Sequence, residues 1–332
     1  MMTLPEFELH RPSTVEEAVS LAGQLNQQGQ TFDYIAGGTD LLQNYKNRLN
    51  CAPHLISLKG IDSLHSHDNL NIGGLVPLRT LEQWGNCPQG ILDALHELAS
   101  PIIRETATVG GNLLVDTRCF FFNQSAFWRH SLGYCLKAEG DVCHVVPQKE
   151  ICYATTASDL APIMMVLDAS IELAGPDGTR TVPLRSFYID EGRAVYDKKP
   201  DELLTKITLS KDATKLKTGY QKLRLRSTMD FPAMGVAIGV SVDKEGILQD
   251  LRIAVGGISC APLYLEDICS PYIGQKMNAT LLDQLSSEVM KSTQPKKNLV
   301  VPTRYRKKMV RIYTRRLLGE LLGEPQVTAL HP

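Results

Sequence analysis

Two short stretches of this 332-residue chain repeat one pattern: IAGGTDLL from Ile35 to Leu42 and TVGGNLLV from Thr108 to Val115. Each has an apolar approach, paired glycines, a short polar residue and an apolar continuation. Paired glycines let the backbone turn with positive φ and leave no Cβ in the way, so successive N–H groups can converge on an anion such as a pyrophosphate. Either loop taken singly is equally a strand-to-helix turn, and Gly73-Gly74 and Gly256-Gly257 repeat the dipeptide with no ligand needed to explain it. The exclusions are sharper. No G-x-G-x-x-G is present and no G-K-[ST] follows either loop, which disfavours a Rossmann dinucleotide site and a P-loop.

Around the loops the pattern is mixed. Residues 1 to about 60 read as strand, helix, strand, strand, with Ser13-Thr14-Val15-Glu16 as a capping box and Val15, Val19, Ala22 and Leu25 at helical spacing. The stretch GILDALHELASPIIRET reads as one further helix. After Tyr153 a helix leads into a hairpin turning at Gly175-Pro176-Asp177-Gly178. SKDATKLKTG, polar and lysine-rich, reads as a linker, followed by alternating strands and terminal helices.

A net charge of −1 gives no footprint for nucleic acid or a membrane surface. The stretch from Lys296 to Arg316 is strongly basic, but Val310, Tyr313, Leu317 and Leu321 share a helical face, so it reads as an amphipathic helix rather than an RNA-binding strip. Glu6, Glu8, His10 and Arg11 stand where a signal peptide needs apolar residues, and no run approaches the ~18 apolar residues of a membrane span. A cytoplasmic protein is expected, and in a reducing compartment clustered cysteines point to metal or redox chemistry.

Four of the eight cysteines form such a cluster, Cys119, Cys135, Cys143 and Cys152, spaced C-x15-C-x7-C-x8-C. Four thiolates complete the ligand set of a 4Fe-4S cluster, a 2Fe-2S cluster or an all-cysteine zinc site. The long gaps and the aromatic run Phe120, Phe121, Phe122, Phe127, Trp128 suit a loop wrapping a bulky cluster, yet spacing alone leaves iron-sulfur, zinc and free thiols all open. His144 reads as a surface residue. Cys51, Cys87, Cys260 and Cys269 are scattered and read as structural.

Taken in order, IAGGTDLL, TATVGGNLL, TTASDLAP, AGPDGTRTVPL and YQKLRLRSTMDFP resemble the FAD-binding subunit of the xanthine dehydrogenase and carbon monoxide dehydrogenase type of molybdenum enzyme, over nearly the whole chain. The resemblance implies an α+β fold: a two-part PCMH-type FAD-binding domain at 1–215, with subdomains at about 1–57 and 58–215, then a CO-dehydrogenase-flavoprotein-like α+β domain at 216–332. It implies that Ala36, Gly37, Gly38, Thr39 and Asp40, with Thr108, Gly110, Gly111 and Asn112, hold the FAD pyrophosphate. By the same resemblance Asp159 bonds the ribityl or adenosine part and Lys222 lies near the isoalloxazine. Judged by residue type alone, Ser158 or Asp159 is a candidate helix cap ahead of LAPIMMVL and Lys222 a strand-edge charge.

Most members of that family lack the segment at about 116–155, between TVGGNL and SDLAP. In this respect the chain is similar to the β subunits of 4-hydroxybenzoyl-CoA reductases, whose insert holds a 4Fe-4S cluster on four cysteines. That similarity implies Cys119, Cys135, Cys143 and Cys152 as cluster ligands. It also implies a molybdopterin-binding large subunit and a 2Fe-2S small subunit as partners in a dimer of heterotrimers, with ferredoxin as electron donor. Electrons would then run inward to a reductive dehydroxylation, and this chain would need no acid-base catalyst. Two alternatives stand beside it: the FAD subunit of another molybdenum hydroxylase or dehydrogenase acting on an aromatic or N-heterocyclic substrate, and a FAD-free scaffold with a zinc-stabilised insert.

Overall fold

The computed structural model describes residues 3–148, 150–298 and 300–323; residues 324–332, the end of the expected C-terminal domain, lie outside them. Three sheets organise the chain. Strands β1 (Glu8–His10), β2 (Phe32–Ile35) and β3 (His54–Ser57) form a parallel sheet in the order β1-β3-β2. Parallel strands need crossovers, and the helix Val15–Gln27 supplies the one from β1 to β2, the two edges of the sheet, burying Ala18, Val19, Ala22 and Leu25. Its cap sits one residue later than expected. The Thr14 hydroxyl accepts the Glu17 N–H at 3.1 Å, while the Glu17 carboxylate accepts the Ser13 N–H at 2.7 Å. The run Ser-Thr-Val-Glu-Glu carries both registers, and Thr14, extended at φ −132°, ψ 164°, is where helical dihedrals begin to follow. A short helix, Leu41–Lys46, directly follows the first glycine loop and was not foreseen.

The second sheet is antiparallel, ordered β4-β7-β5-β6, with β4 Asn71–Gly73, β5 Ser170–Gly175, β6 Gly178–Pro183 and β7 Leu203–Thr208. Gly175 pairs with Gly178, so Pro176 and Asp177 form the two-residue turn that the sequence pattern predicts. The expected single helix over GILDALHELASPIIRET is two, Gln89–Glu97 and Pro101–Arg104, broken where Ala99 takes a positive φ of 51°. Ser100 then caps the second piece with Pro101 at its first position, a start signal embedded in an apolar run.

The third sheet, β11-β10-β9-β8, comprises β8 Lys217–Leu223, β9 Met234–Val242, β10 Leu248–Gly256 and β11 Leu263–Tyr264. The helices Ala279–Ser292 and Thr303–Leu322 pack on it through Leu282, Leu285, Val310 and Leu317. The basic stretch is therefore amphipathic, as its spacing predicts, and one of its cations turns inward: Arg306 is fully buried and donates to the Gly257 and Lys296 carbonyls. Nor is the polar run after Leu209 a free linker. Ala213 is fully buried in the main core, and the Ser210 N–H bonds the Leu167 carbonyl, so the two halves share packing. No helix among the described residues is long and apolar enough to cross a membrane.

Candidate functional site

The first glycine loop leaves β2 at Ile35 and enters the helix Leu41–Lys46, and the second enters the helix Val109–Leu113. Their backbones meet. A Cβ at Gly37 would stand 1.9 Å from the Thr106 carbonyl oxygen, and one at Gly110 would stand 2.6 Å from that of Gly74. Both contacts are with backbone, which cannot swing aside. Thr108 caps the second helix by accepting the Gly111 N–H at 3.1 Å. Gly74, part of a Gly-Gly pair that the sequence did not tie to a ligand, forms part of the same wall.

That wall bounds a cavity of about 1540 Å³, above the ~300–1,000 Å³ of ordinary small-ligand pockets and suited to an extended ligand. Ala36 to Asp40, Thr108, Gly110, Gly111, Asn112 and Asp159 all line it; Lys222 does not. The Asn112 Oδ1 accepts from the Ser158 hydroxyl at 2.8 Å and the Leu160 N–H at 3.1 Å, which leaves its amide N–H groups for the cavity. Ser158, not Asp159, caps the helix Leu160–Val166, accepting the Ala161 N–H at 3.0 Å.

Asp159 has a different job. Its carboxylate accepts from the Tyr220 hydroxyl at 2.8 Å and from the Lys222 ammonium at 3.0 Å. Lys222 spends its other protons on the Glu97 and Asp230 carbonyls, at 2.9 and 2.8 Å, and its side chain has no solvent exposure. Burial pushes the Asp159 carboxyl up, and the Lys222 charge and the two hydrogen bonds oppose it. The pair thus braces one cavity wall from behind, tying the helix Leu160–Val166 to β8 and to the loop carrying Asp230.

Several lining residues carried no sequence signal. Arg118 pairs with Asp40 and stacks 4.7 Å from the centroid of Phe231, both cavity residues; burial lowers its pKa to about 10. Lys198 donates to the Lys199, Pro200 and Glu202 carbonyls, and burial lowers its pKa to about 8.

The cysteine segment starts and ends at one point, where Arg118 and Thr155 exchange backbone hydrogen bonds of 2.8 and 2.9 Å. Inside this neck, Cys119, Cys135, Cys143 and Cys152 line a single narrow recess with Phe121 and Phe122. No three of the sulfurs lie within 4.8 Å of one another, although a tetrahedral zinc with ~2.3 Å bonds would hold them about 3.8 Å apart. Burial pushes the Cys152 thiol up to about 11, Lys137 opposing and the Cys119 and Cys143 charges adding. Its backbone is clamped: the N–H donates to Glu191 at 2.7 Å, and the carbonyl accepts from the Gly192 N–H at 3.1 Å and the Cys260 thiol at 3.3 Å. Cys260, read as merely structural, therefore supports the recess. Cys119, Phe121, Leu136, Lys137, Val145 and Tyr153 border both the recess and the large cavity, so one layer of side chains separates them.

Residues 5–211 match the family described as the FAD binding domain in molybdopterin dehydrogenase. The chain belongs to this FAD-binding family. Residues 219–321 match the CO dehydrogenase flavoprotein C-terminal domain, so the fold is the PCMH-type flavin domain followed by that α+β domain. Among relatives of this FAD-binding subunit, the aldehyde oxidoreductase FAD-binding subunit PaoB of Escherichia coli is 33% identical over 78% of this chain and 84% of its own length. The carbon monoxide dehydrogenase medium chain of Afipia carboxidovorans is 26% identical over 93% of this chain and 94% of its own. A structure of the cyanide-inactivated Cu,Mo-CO dehydrogenase superposes with a TM-score of 0.77 at 23% identity, covering 98% of this chain and 100% of that one. The chain is thus an FAD-binding oxidoreductase subunit of the molybdenum hydroxylase family, which removes the FAD-free scaffold reading.

Proposed function

We propose that this FAD-binding subunit carries a second redox centre, a 4Fe-4S cluster held by Cys119, Cys135, Cys143 and Cys152, and relays electrons between an external carrier and a molybdenum-containing partner. The observation that carries this reading is the recess of four thiols sharing one wall with the large cavity. Bound FAD supplies one- or two-electron chemistry and the cluster supplies single electrons. The chain's own residues bind and position. The first glycine loop presents N–H groups to the diphosphate, whereas those of Gly110, Gly111 and Asn112 in the second are spent on the Gly74 carbonyl, the Thr108 hydroxyl and the Thr108 carbonyl, so the second loop contributes a close-packed wall and the Asn112 side-chain amide; Asp159 acts with Lys222 behind it to hold that wall. The partners proposed are a molybdopterin-binding large subunit and a 2Fe-2S small subunit, in a dimer of heterotrimers; relatives named medium chain support a multi-subunit assembly.

For the reaction of the whole complex, the relatives favour a hydroxylase or dehydrogenase, with aldehyde and N-heterocycle enzymes among their names. The insert favours a second reading, reductive dehydroxylation of 4-hydroxybenzoyl-CoA to benzoyl-CoA fed by reduced ferredoxin. Assaying the copurified complex with reduced ferredoxin or viologen and 4-hydroxybenzoyl-CoA separates the two; no benzoyl-CoA formation discards the second.

Iron, sulfide, zinc and flavin analysis of anaerobically purified protein tests the cluster. Wild type should hold iron, sulfide and flavin, and zinc without iron would discard the cluster. Cys135→Ser should lose or convert the cluster while FAD stays largely bound. Loss of both cofactors would make the insert a structural element of the flavin fold instead.

The cavity also predicts a pH dependence. Below its pKa of about 8, Lys198 carries the charge that an anionic ligand favours; above it, binding must take up a proton. FAD affinity should therefore weaken as pH rises through this region, by at most about tenfold per unit for one coupled proton. Flavin-quenching titrations from pH 7 to 9 measure it, and Lys198→Met should flatten the slope. An equal slope in wild type and variant would remove Lys198 from the site.

A further inference from the structure

We propose a divalent-metal site on the parallel sheet, formed by Glu8, His10 and His54 and suited to an ion of the zinc class. Strand register brings the three together. Glu8 pairs with His54 across β1 and β3, and His10, two residues along β1, points to the same face as Glu8. One donor atom from each residue lies within 4.8 Å of the other two, the only such trio of His, Cys, Asp and Glu among the described residues.

The His10 Nε2 and His54 Nδ1 stand 3.1 Å apart, near the separation of two nitrogens bound at ~2.0–2.1 Å to one tetrahedral ion. Without an ion this contact is a hydrogen bond between imidazoles, and it accounts for two of the three groups. Glu8 stands outside that bond, its carboxylate 68% exposed at the rim with oxygens 3.8 Å from His10 Nδ1 and 3.7 Å from His54 Nδ1, beyond hydrogen-bond range and open to solvent on the side from which an ion would enter. A cation between the three satisfies them together. The imidazoles are preorganised, with side-chain exposures of 20% and 15% and ring centroids 5.3 Å apart. Two imidazoles and a carboxylate form a set that zinc accepts, with a fourth position left to water.

The site would staple β1, an edge strand whose one strand partner is β3, to the sheet whose other edge, β2, delivers the first glycine loop. A ligand that binds only the folded state stabilises it by mass action. This inference uses none of the insert cysteines and stands apart from the cluster reading.

Cobalt(II) titration of the flavin-loaded protein tests it, because cobalt on imidazole and carboxylate gives weak visible d–d bands, whereas cobalt on cysteine adds intense thiolate charge transfer in the near ultraviolet. The wild type should show one zinc-displaceable equivalent of the first kind. His54→Gln and, independently, His10→Gln should each lose it while retaining flavin, which reports that the fold is intact. Absence of the non-thiolate spectrum from wild type, or its persistence in both variants, would overturn the site.

Discussion

Gly37→Ala should purify with little bound flavin and a lowered melting temperature. The new methyl would be built 1.9 Å from the Thr106 carbonyl oxygen, so one of the two glycine loops must move. Overpacking of this kind costs about 1 to 3 kcal/mol when side chains yield, and here the obstruction is backbone, so the upper end is expected. The loop carrying Gly37 also lines the cavity, so flavin affinity should fall together with stability. The ratio of flavin to protein absorbance and a thermal melt read the two effects separately. Gly85→Ala is the control: its Cβ meets nothing within 4 Å, and the substitution should be neutral or slightly stabilising. Wild-type flavin content and melting temperature in Gly37→Ala would show that the loops are not in register as described.

Lys222→Met should destabilise the protein by about 3 to 5 kcal/mol, the usual cost of stranding one member of a buried ion pair. Asp159 would keep only the Tyr220 hydroxyl as a side-chain partner, and the Glu97 and Asp230 carbonyls would lose their shared donor. Asp159→Asn added to Lys222→Met should recover part of the loss, because the orphaned charge is then gone. Urea melts of both single variants and the double close the cycle, and strictly additive losses would contradict direct coupling. The sign of the pH effect follows. Burial already raises the Asp159 pKa, and removing Lys222 deletes the leading opposing influence. With the folded-state pKa above the unfolded one, the deficit of Lys222→Met should be full above the folded pKa and shrink as acid protonates the carboxyl.

Local chemistry was the part of the fold most legible in the sequence. The hairpin at Gly175 to Gly178 and the apolar face of Val310 and Leu317 depend on neighbours within a few residues, and both stand as their patterns predict. The capping box slipped by one because Ser13 and Thr14 are both competent caps, with Glu16 and Glu17 both in reach. The break at Ala99 was hidden because nothing in that side chain announces a positive φ. In the candidate site, the glycine loops were legible because their requirement is written in the missing Cβ. Lys198 and Arg118 were not, since each reaches the cavity from a different part of the chain by tertiary packing alone. Lys222 shows the intermediate case: the sequence marked it, and its place behind the wall rather than on it depends on two hydrogen-bond partners distant in sequence, Glu97 and Asp159, and one nearby, Asp230.

The pinch at Arg118 and Thr155 bears on how such a segment can enter or leave a chain. Its two ends already lie side by side, so the chain can enter and leave the segment at one point whether the intervening stretch is long or short. Loop-closure entropy grows only with the logarithm of length, about 0.6 kcal/mol for each doubling, so a long excursion here costs little more than a short turn. Among its described residues the segment adds no strand to any of the three sheets, so strand order is the same with it or without it. It is a place where a lineage can lengthen or shorten the chain without having to change the order of the strands.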